Sequence, residues 1–162
     1  MDTERPGVLK HGFGASDPAR GDGRISPVHE CELIRIVLRD TTEEQFIFLR
    51  EKAGLRRTFP IVIGRFEARA IDRSIRHQAL PRPQTHDLLA TVIEAAGTTL
   101  ERVEITDLKD GTFFASLHLK RDAETVKVDA RPSDAIAVAV RTGAPVFVSE
   151  EVIRDASEVP KS

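Results

Sequence analysis

At 162 residues, with 40% hydrophobic and 31% charged residues, the chain has the composition of one globular domain with a real core. Its formal net charge of −2 excludes a protein that coats nucleic acid through bulk positive charge, and leaves room only for a local basic patch. Tryptophan and tyrosine are absent and the aromatics are eight phenylalanines, so base-stacking platforms gain no support. No apolar run approaches the roughly 18 residues of a membrane span. The N-terminus lacks the apolar centre of a signal peptide. A lone Cys31, inside an apolar alternating run, reads as a buried small hydrophobe. The expected compartment is the cytoplasm, with no membrane partner.

Residues 1–27 mix proline, glycine and scattered charge and read as a flexible leader; the domain is expected over 28–156, with 157–162 as a tail. Alternation from Cys31 to Leu38 predicts a strand, as do the β-rich run Gln45–Arg50 and the short run Phe59–Ile63, which Gly64 ends. A helix is expected over Arg65–His77, with Phe66, Ala70, Ile71 and Ile75 on its apolar side. A second is expected over Thr85–Ala96, with Thr85 as N-cap, Leu88, Leu89, Val92, Ile93 and Ala96 at helical spacing, and Gly97 as the stop.

Leu100–Leu108 and Thr112–Leu119 flank Asp110-Gly111, the strongest short signal for a hairpin. Phe113, Ala115, Leu117 and Leu119 mark its core face. Glu124–Ala130 is a further strand with Val126, Val128 and Ala130 expected inward. A third main helix follows over Pro132–Thr142, with proline at its first position and Gly143 at its end. Ala144–Val148 closes the strands and Glu150–Ala156 forms a last helical turn or two. The fold class is α+β: a largely antiparallel or mixed sheet with about three main helices packed against it.

Polar groups concentrate at three places. On the first helix Arg65, Arg69, Arg73 and Arg76 fall in one arc, an arrangement open to phosphate contact or to plain solvation with Asp72 pairing Arg69 or Arg76. Glu67 lies among the apolar positions and must be paired, metal-bound or shifted in pKa, because a bare buried carboxylate costs several kcal/mol.

The second place is Pro81-Arg82-Pro83-Gln84-Thr85-His86-Asp87, where His86 and Asp87 occupy a helix's first turn. Adjacent helical side chains point about 100° apart, so the two cannot easily face one point. Capping explains this segment as well as general acid–base chemistry does.

The third is Asp129-Ala-Arg-Pro-Ser-Asp134 at a strand-to-helix junction, which offers two carboxylates, a guanidinium and the Ser133 hydroxyl. Capping accounts for Asp134 but poorly for Asp129, which lies on the strand face opposite Val128. Arg131 is expected to bridge one of these carboxylates or Glu67. His11, His29, His77 and His118 show no metal-ligand spacing, and no Walker loop, GxSxG or HExxH motif is present.

Read together, Pro60-Ile-Val-Ile-Gly64 with Glu67-Ala68, Pro81-Arg-Pro83 with Thr85-His-Asp-Leu-Leu89, Asp110-Gly-Thr-Phe113 and Asp129-Ala-Arg-Pro-Ser-Asp-Ala-Ile136 resemble the bifunctional nuclease domain, over about residues 31–156. The resemblance implies a nuclease acting on RNA and/or DNA, in a bacterial member that forms a homodimer or higher homo-oligomer. The chain departs from the family pattern in Asp72, Arg73 and Arg76, where small apolar residues are usual, and in Phe114, where tyrosine is common.

Two functional readings stand side by side. In the first, Glu67, Asp87, Asp129 and Asp134 supply oxygen ligands to Mg²⁺ or Mn²⁺, with Glu67, Asp129 and Asp134 as the central set. His86 is then general base or acid, Arg131 stabilises charge on the phosphate, and Arg65, Arg69, Arg73, Arg76 and Arg82 contact the nucleic acid. No organic cofactor is expected. In the second, the chain is a non-catalytic module for nucleic acid or a small anionic ligand, and the same groups form a structural ion-pair network. The run Phe46-Ile-Phe-Leu49 is apolar on both faces, so one face is available for a second subunit.

Overall fold

The computed structural model describes residues 26–157, so the expected leader lies outside the described residues except for Ser26 and Pro27, and the tail except for Ser157. The elements run β1 (Val28–Val37), β2 (Glu44–Glu51), β3 (Thr58–Gly64), α1 (Arg65–Ile75), α2 (Thr85–Ala95), β4 (Thr99–Lys109), β5 (Thr112–Arg121), β6 (Glu124–Ala130), α3 (Pro132–Thr142), β7 (Val146–Ser149) and α4 (Glu150–Ser157). The strands form a seven-stranded sheet in the order β3-β2-β1-β7-β4-β5-β6. Every neighbouring pair is antiparallel except β4–β7, which is parallel. The architecture is α+β as expected, with three main helices, α1, α2 and α3, among the described residues and the shorter α4 where a last helical turn or two was expected.

Alternation decides what the sheet buries. On β2 and β3, Ile47, Leu49, Phe59, Ile61 and Ile63 are buried, while Phe46, Phe48, Pro60 and Val62 between them are not. Val103, Ile105, Ala115, Leu117 and Val148 continue the buried face across the sheet. The helices pack there: α1 on β2 and β3, α3 on β4 and β5, and α4 on β3, β4 and β7. The helix α3 is the central element, with Ala135 to Ala139 buried in an unbroken run. Its small side chains let it lie close to both the sheet and α1.

Two turns follow the sequence directly. Asp110 (φ 50°) and Gly111 (φ 76°) both take the left-handed conformation that a two-residue hairpin of matching twist requires. Gly143 ends α3 with φ 77°.

Several expectations are corrected. The apolar side of β6 shares the core face, but Val126 and Val128 are 56% and 39% exposed, because β6 is an edge strand beyond the reach of the helices. On α2 only Ala90 and Ile93 are buried, and Leu88, Leu89 and Val92 are exposed. On α1, Ala68, Ala70 and Ile71 face the core, whereas Phe66 and Ile75 do not. A bulge between Leu33 and Arg35 breaks the alternation of β1 and leaves Ile34 exposed. The N-cap of α2 is Gln84 rather than Thr85: the Gln84 side chain accepts from the Asp87 backbone N–H, and Asp87 accepts from the Gln84 backbone N–H, a reciprocal capping box. Cys31 is buried as expected. Burial, and then the nearby Glu51 carboxylate, pushes its thiol up to about 12.

Candidate active site

The start of α3 lies beside α1 and α2, and four polar side chains from the three helices and the preceding loop meet there. Arg131, the N-cap residue of α3, donates from Nε to Asp134 Oδ2 at 2.8 Å and from a terminal nitrogen to Glu67 Oε1 at 2.7 Å. His86 Nε2 lies 2.9 Å from Asp134 Oδ1. The result is a continuous chain Glu67–Arg131–Asp134–His86.

Asp134 is the third residue of its helix, yet its carboxylate bonds side chains and caps no backbone group. Capping therefore does not explain it. Burial, the largest influence, works to raise its pKa, but the hydrogen bonds from His86 and Arg131 and their charge outweigh it, so the carboxyl is held below its ordinary value. Arg131 is in turn held protonated by Asp134 first and Glu67 second.

Glu67 is nearly buried, its side chain 13% exposed, and is satisfied by Arg131. Gly64, the N-cap of α1, makes the room. Its φ of −73° is open to any residue, but a Cβ there would overlap the Glu67 carboxylate.

Next to this chain lies a cavity of about 440 Å³, walled by the end of α1, the α1–α2 connection and the first turn of α2. Arg73, Arg82, Arg141, His77 and His86 line it, with Asp87 as its one carboxylate among the described residues and Leu80, Pro83 and Ala70 among its apolar wall. Asp87 is engaged by Arg141 at 3.0 Å, while Arg73 and Arg82 have no ion-pair partner among the described residues. The cavity therefore carries an excess of positive charge. His86 and Asp87 both line it, although His86 turns its Nε2 to Asp134 and Asp87 turns to Arg141.

The remaining expected residues are placed elsewhere. Asp129 is exposed on β6, opposite Ser116, on the sheet face away from Glu67 and Asp134. Strand alternation puts it there, so the three carboxylates expected to hold one metal do not meet. Ser133 is buried in the first turn of α3, and no described hydrogen bond uses its hydroxyl. Of the arginine stripe, Arg65 is tied to the carbonyls of Asp40 and Thr42 and to Glu43, and Arg76 to Asp72. Arg69 and Arg73 remain without such partners among the described residues.

Two further polar groups have no counterpart in the sequence reading. Arg57 is doubly bonded to Glu51 (2.7 and 2.9 Å) and to Glu150 (2.7 Å twice), joining the β2–β3 connection to α4. His29 stands 2.8 Å from Glu150 and 3.5 Å from Glu51, close in distance but without an aligned hydrogen bond from its buried Nε2. These three are the one group of His, Cys, Asp or Glu side chains among the described residues whose ligand atoms lie within 4.8 Å of one another, and Arg57 already occupies both carboxylates. On the helix-free face, buried His118 lies 2.7 Å from Glu104, and its burial and then Arg102 lower its pKa. In the first group Arg57 and Glu150 are 93 positions apart. Such pairings leave no local signal in the chain.

Comparison with known proteins gives these positions a frame. The family model described as the bifunctional nuclease domain matches residues 47–161. The chain belongs to that family. The match takes in the whole Glu67–Arg131–Asp134–His86 chain and the cavity. An uncharacterized protein of Mycobacterium tuberculosis (strain H37Rv) is 41% identical over 127 residues, covering 78% of this chain and 75% of its own length. Bifunctional nuclease 1 of Oryza sativa subsp. indica is 26% identical over 118 residues, covering 71% of this chain but 36% of its own length. Bifunctional nuclease 1 of Arabidopsis thaliana is 26% identical over 116 residues, with 70% and 36% covered. The domain thus spans about a third of these plant proteins. No helix among the described residues is long and apolar enough to cross a membrane.

Proposed function

We propose that this chain is a nuclease that cleaves phosphodiester bonds in RNA, DNA or both, at the cleft beside α2. The observation that carries the reading is the double membership of His86, which lines a cation-rich cavity and is held by an ionised carboxylate. Asp134, kept ionised, can only accept a hydrogen bond, so Nε2 of His86 carries the proton between them. In the neutral imidazole this leaves Nδ1 with the free lone pair, ready to take a proton from water or a ribose hydroxyl. Asp134 then does for His86 what an orienting carboxylate does in any such dyad: it fixes the tautomer and favours the imidazolium as it forms. Arg73, Arg82 and Arg141 neutralise the phosphate that the cavity receives.

The divalent-metal reading fits less well. Arg131 already holds Glu67 and Asp134, and Asp129 faces the other side of the sheet, so no step here is routed through Mg²⁺ or Mn²⁺. The non-catalytic reading draws on the same bridge, because Glu67–Arg131–Asp134 ties α1 to α3 as a structural pair would.

The decisive experiment uses purified wild type and His86→Ala on labelled RNA and DNA oligonucleotides, with EDTA and with added Mn²⁺. The mutant prepared in parallel controls for contaminating host nuclease. Loss of at least about 100-fold in rate is expected, the usual contribution of a general acid or base. Equal cleavage by both proteins overturns the assignment. Activity abolished by EDTA and restored by Mn²⁺ would return the metal to the mechanism. A thermal shift with anions in the absence of turnover would favour the binding module.

A further inference from the structure

The helices cover one face of the sheet, and the other face carries a patch that the cleft does not explain. Phe46 and Phe48 stand at alternate positions of β2 on the helix-free side, partly exposed, while their neighbours Gln45, Ile47 and Leu49 are buried. Across the strands, Phe46 is flanked by Val37 and Val62, and Phe48 by Arg35 and Pro60. The Arg39 guanidinium lies 4.8 Å from the Phe46 ring centre, and that of Arg35 lies 5.4 Å from Phe48. Neither arginine has an ion-pair partner among the described residues. The carboxylates on this part of the face stand at its ends. Glu44 is at one end, and Glu32, shared by Arg50 and Arg56, is at the other.

The patch runs on toward the cleft. Val62, 50% exposed, leads through Gly64 to Phe66, which at 78% is the most exposed phenylalanine among the described residues. Phe66, Arg69 and Arg73 are spaced three and four apart on α1 and share one face of the helix. Arg73 is part of the cavity wall. Rings and guanidinium groups without an ion-pair partner among the described residues therefore follow one another along β2, β3 and α1, from the open sheet to the wall of the cavity that His86 lines.

We infer that this path is a binding track for single-stranded nucleic acid, with bases stacked on Phe46, Phe48 and Phe66 and phosphates on Arg35, Arg39 and Arg69. An exposed ring at Phe66 and partly exposed rings at Phe46 and Phe48, each of these two with a guanidinium over it, suit unpaired bases, whose faces are free to stack on rings and guanidinium planes. A duplex hides those faces. A second copy of this chain fits worse, since it would lay a pair of unpaired arginines against the same pair, with carboxylates only at the rim. The cleft end of the track rests on the nuclease reading above; the sheet patch stands on its own.

The test is fluorescence anisotropy of a labelled 20-nucleotide oligo(dT) and of a duplex of equal length, for wild type, Phe66→Ala and Arg39→Ala. Both replaced side chains are on the surface, so folding is not at issue. Single-strand affinity is expected to fall roughly tenfold for Phe66→Ala, within the range of one base–aromatic stack, with no matching loss on duplex. Arg39→Ala is expected to reduce the slope of log K against log salt by about 0.7, one single-strand phosphate contact. Affinities within about twofold of wild type for both variants overturn the track. So does light scattering that finds a dimer broken by the same substitutions, which would make the face a self-association surface. His86→Ala, read by cleavage of the same oligonucleotide, scores the cleft separately. If cleavage survives that change while affinity still depends on Phe66 and Arg39, the cleft reading falls and the track stands.

Discussion

Glu51→Gln tests the electrostatic logic of this fold at its most buried charge. The Glu51 side chain is 1% exposed, and Arg57 bonds both of its oxygens, with the Arg57 backbone N–H adding a third bond. The hydrogen bonds from Arg57 more than offset burial and bring its pKa from 4.5 to about 2. At about 1.4 kcal/mol per unit this corresponds to roughly 3 kcal/mol of stability. Arg57 and Glu150 are 23% and 34% exposed. Solvent screening therefore trims the figure to about 2–3 kcal/mol.

The sign follows from the direction of the shift. A depressed folded-state pKa stabilises the protein above the unfolded value near 4.5, and that stabilisation is lost as pH falls toward about 2. Glutamine preserves volume and leaves Arg57 its contact with Glu150. The assay is urea unfolding followed by circular dichroism, since the chain has no tryptophan or tyrosine to report by fluorescence. At pH 7 the variant should lie about 2–3 kcal/mol below wild type, a fall of roughly 8 °C in Tm for a domain of this size. The gap should close progressively between about pH 5 and pH 2. A gap under about 1 kcal/mol at pH 7, or one that stays constant into acid, refutes the assignment of this stability to the Glu51–Arg57 pair.

Other consequences are as direct. Asp134→Asn removes the carboxylate that fixes the His86 tautomer and should lower kcat by at least about tenfold with little change in KM, read from steady-state cleavage; an equal loss confined to KM would point to substrate binding instead. Arg73→Ala and Arg82→Ala together should reduce the salt slope of oligonucleotide binding by about 1.4 for a single strand, and an unchanged slope would remove both from the phosphate contacts. Gly64→Ala should leave the backbone intact but displace the Glu67 carboxylate from Arg131, seen as unchanged circular dichroism with reduced cleavage; unchanged cleavage would separate Glu67 from activity. Cys31, with its pKa near 12, should ignore a thiol reagent at pH 8 until urea unfolds the protein, and rapid labelling of the native state would contradict its burial.

Local order was legible because local chemistry dictates it. The Asp110-Gly111 hairpin, the proline-started and glycine-ended α3, and the alternating core of β2 and β3 each depend on residues within a few positions of one another. The four-residue spacing that joins Asp72 to Arg76 was equally readable. Arg131 was expected to bridge Asp129, Asp134 or Glu67, and it bridges two of them, Asp134 three residues away and Glu67 sixty-four away. Outside β1, the positions misread as core share one cause. Val126, Val128, Leu88, Leu89, Val92 and Phe66 all have the periodicity of core residues, but periodicity selects a face without saying whether anything covers it. Each lies where the helix layer ends.

The sequence alone determined the α+β class, the succession of strands and helices, and the motifs that mark the family, since these rest on turn chemistry and hydrophobic period. Tertiary structure decided which polar groups meet. It separated Asp129 from Asp134 across the two faces of the sheet, seated Arg141 against Asp87, and joined His86 to Asp134 beside a cationic cavity. It also left the Phe46 and Phe48 face of the sheet without a covering helix among the described residues, so the side that the sequence offered to a second subunit stays partly exposed. Hydrogen bonds and ion pairs act over about 3 Å regardless of distance along the chain, and only the packing of helices on the sheet brings such partners within that reach.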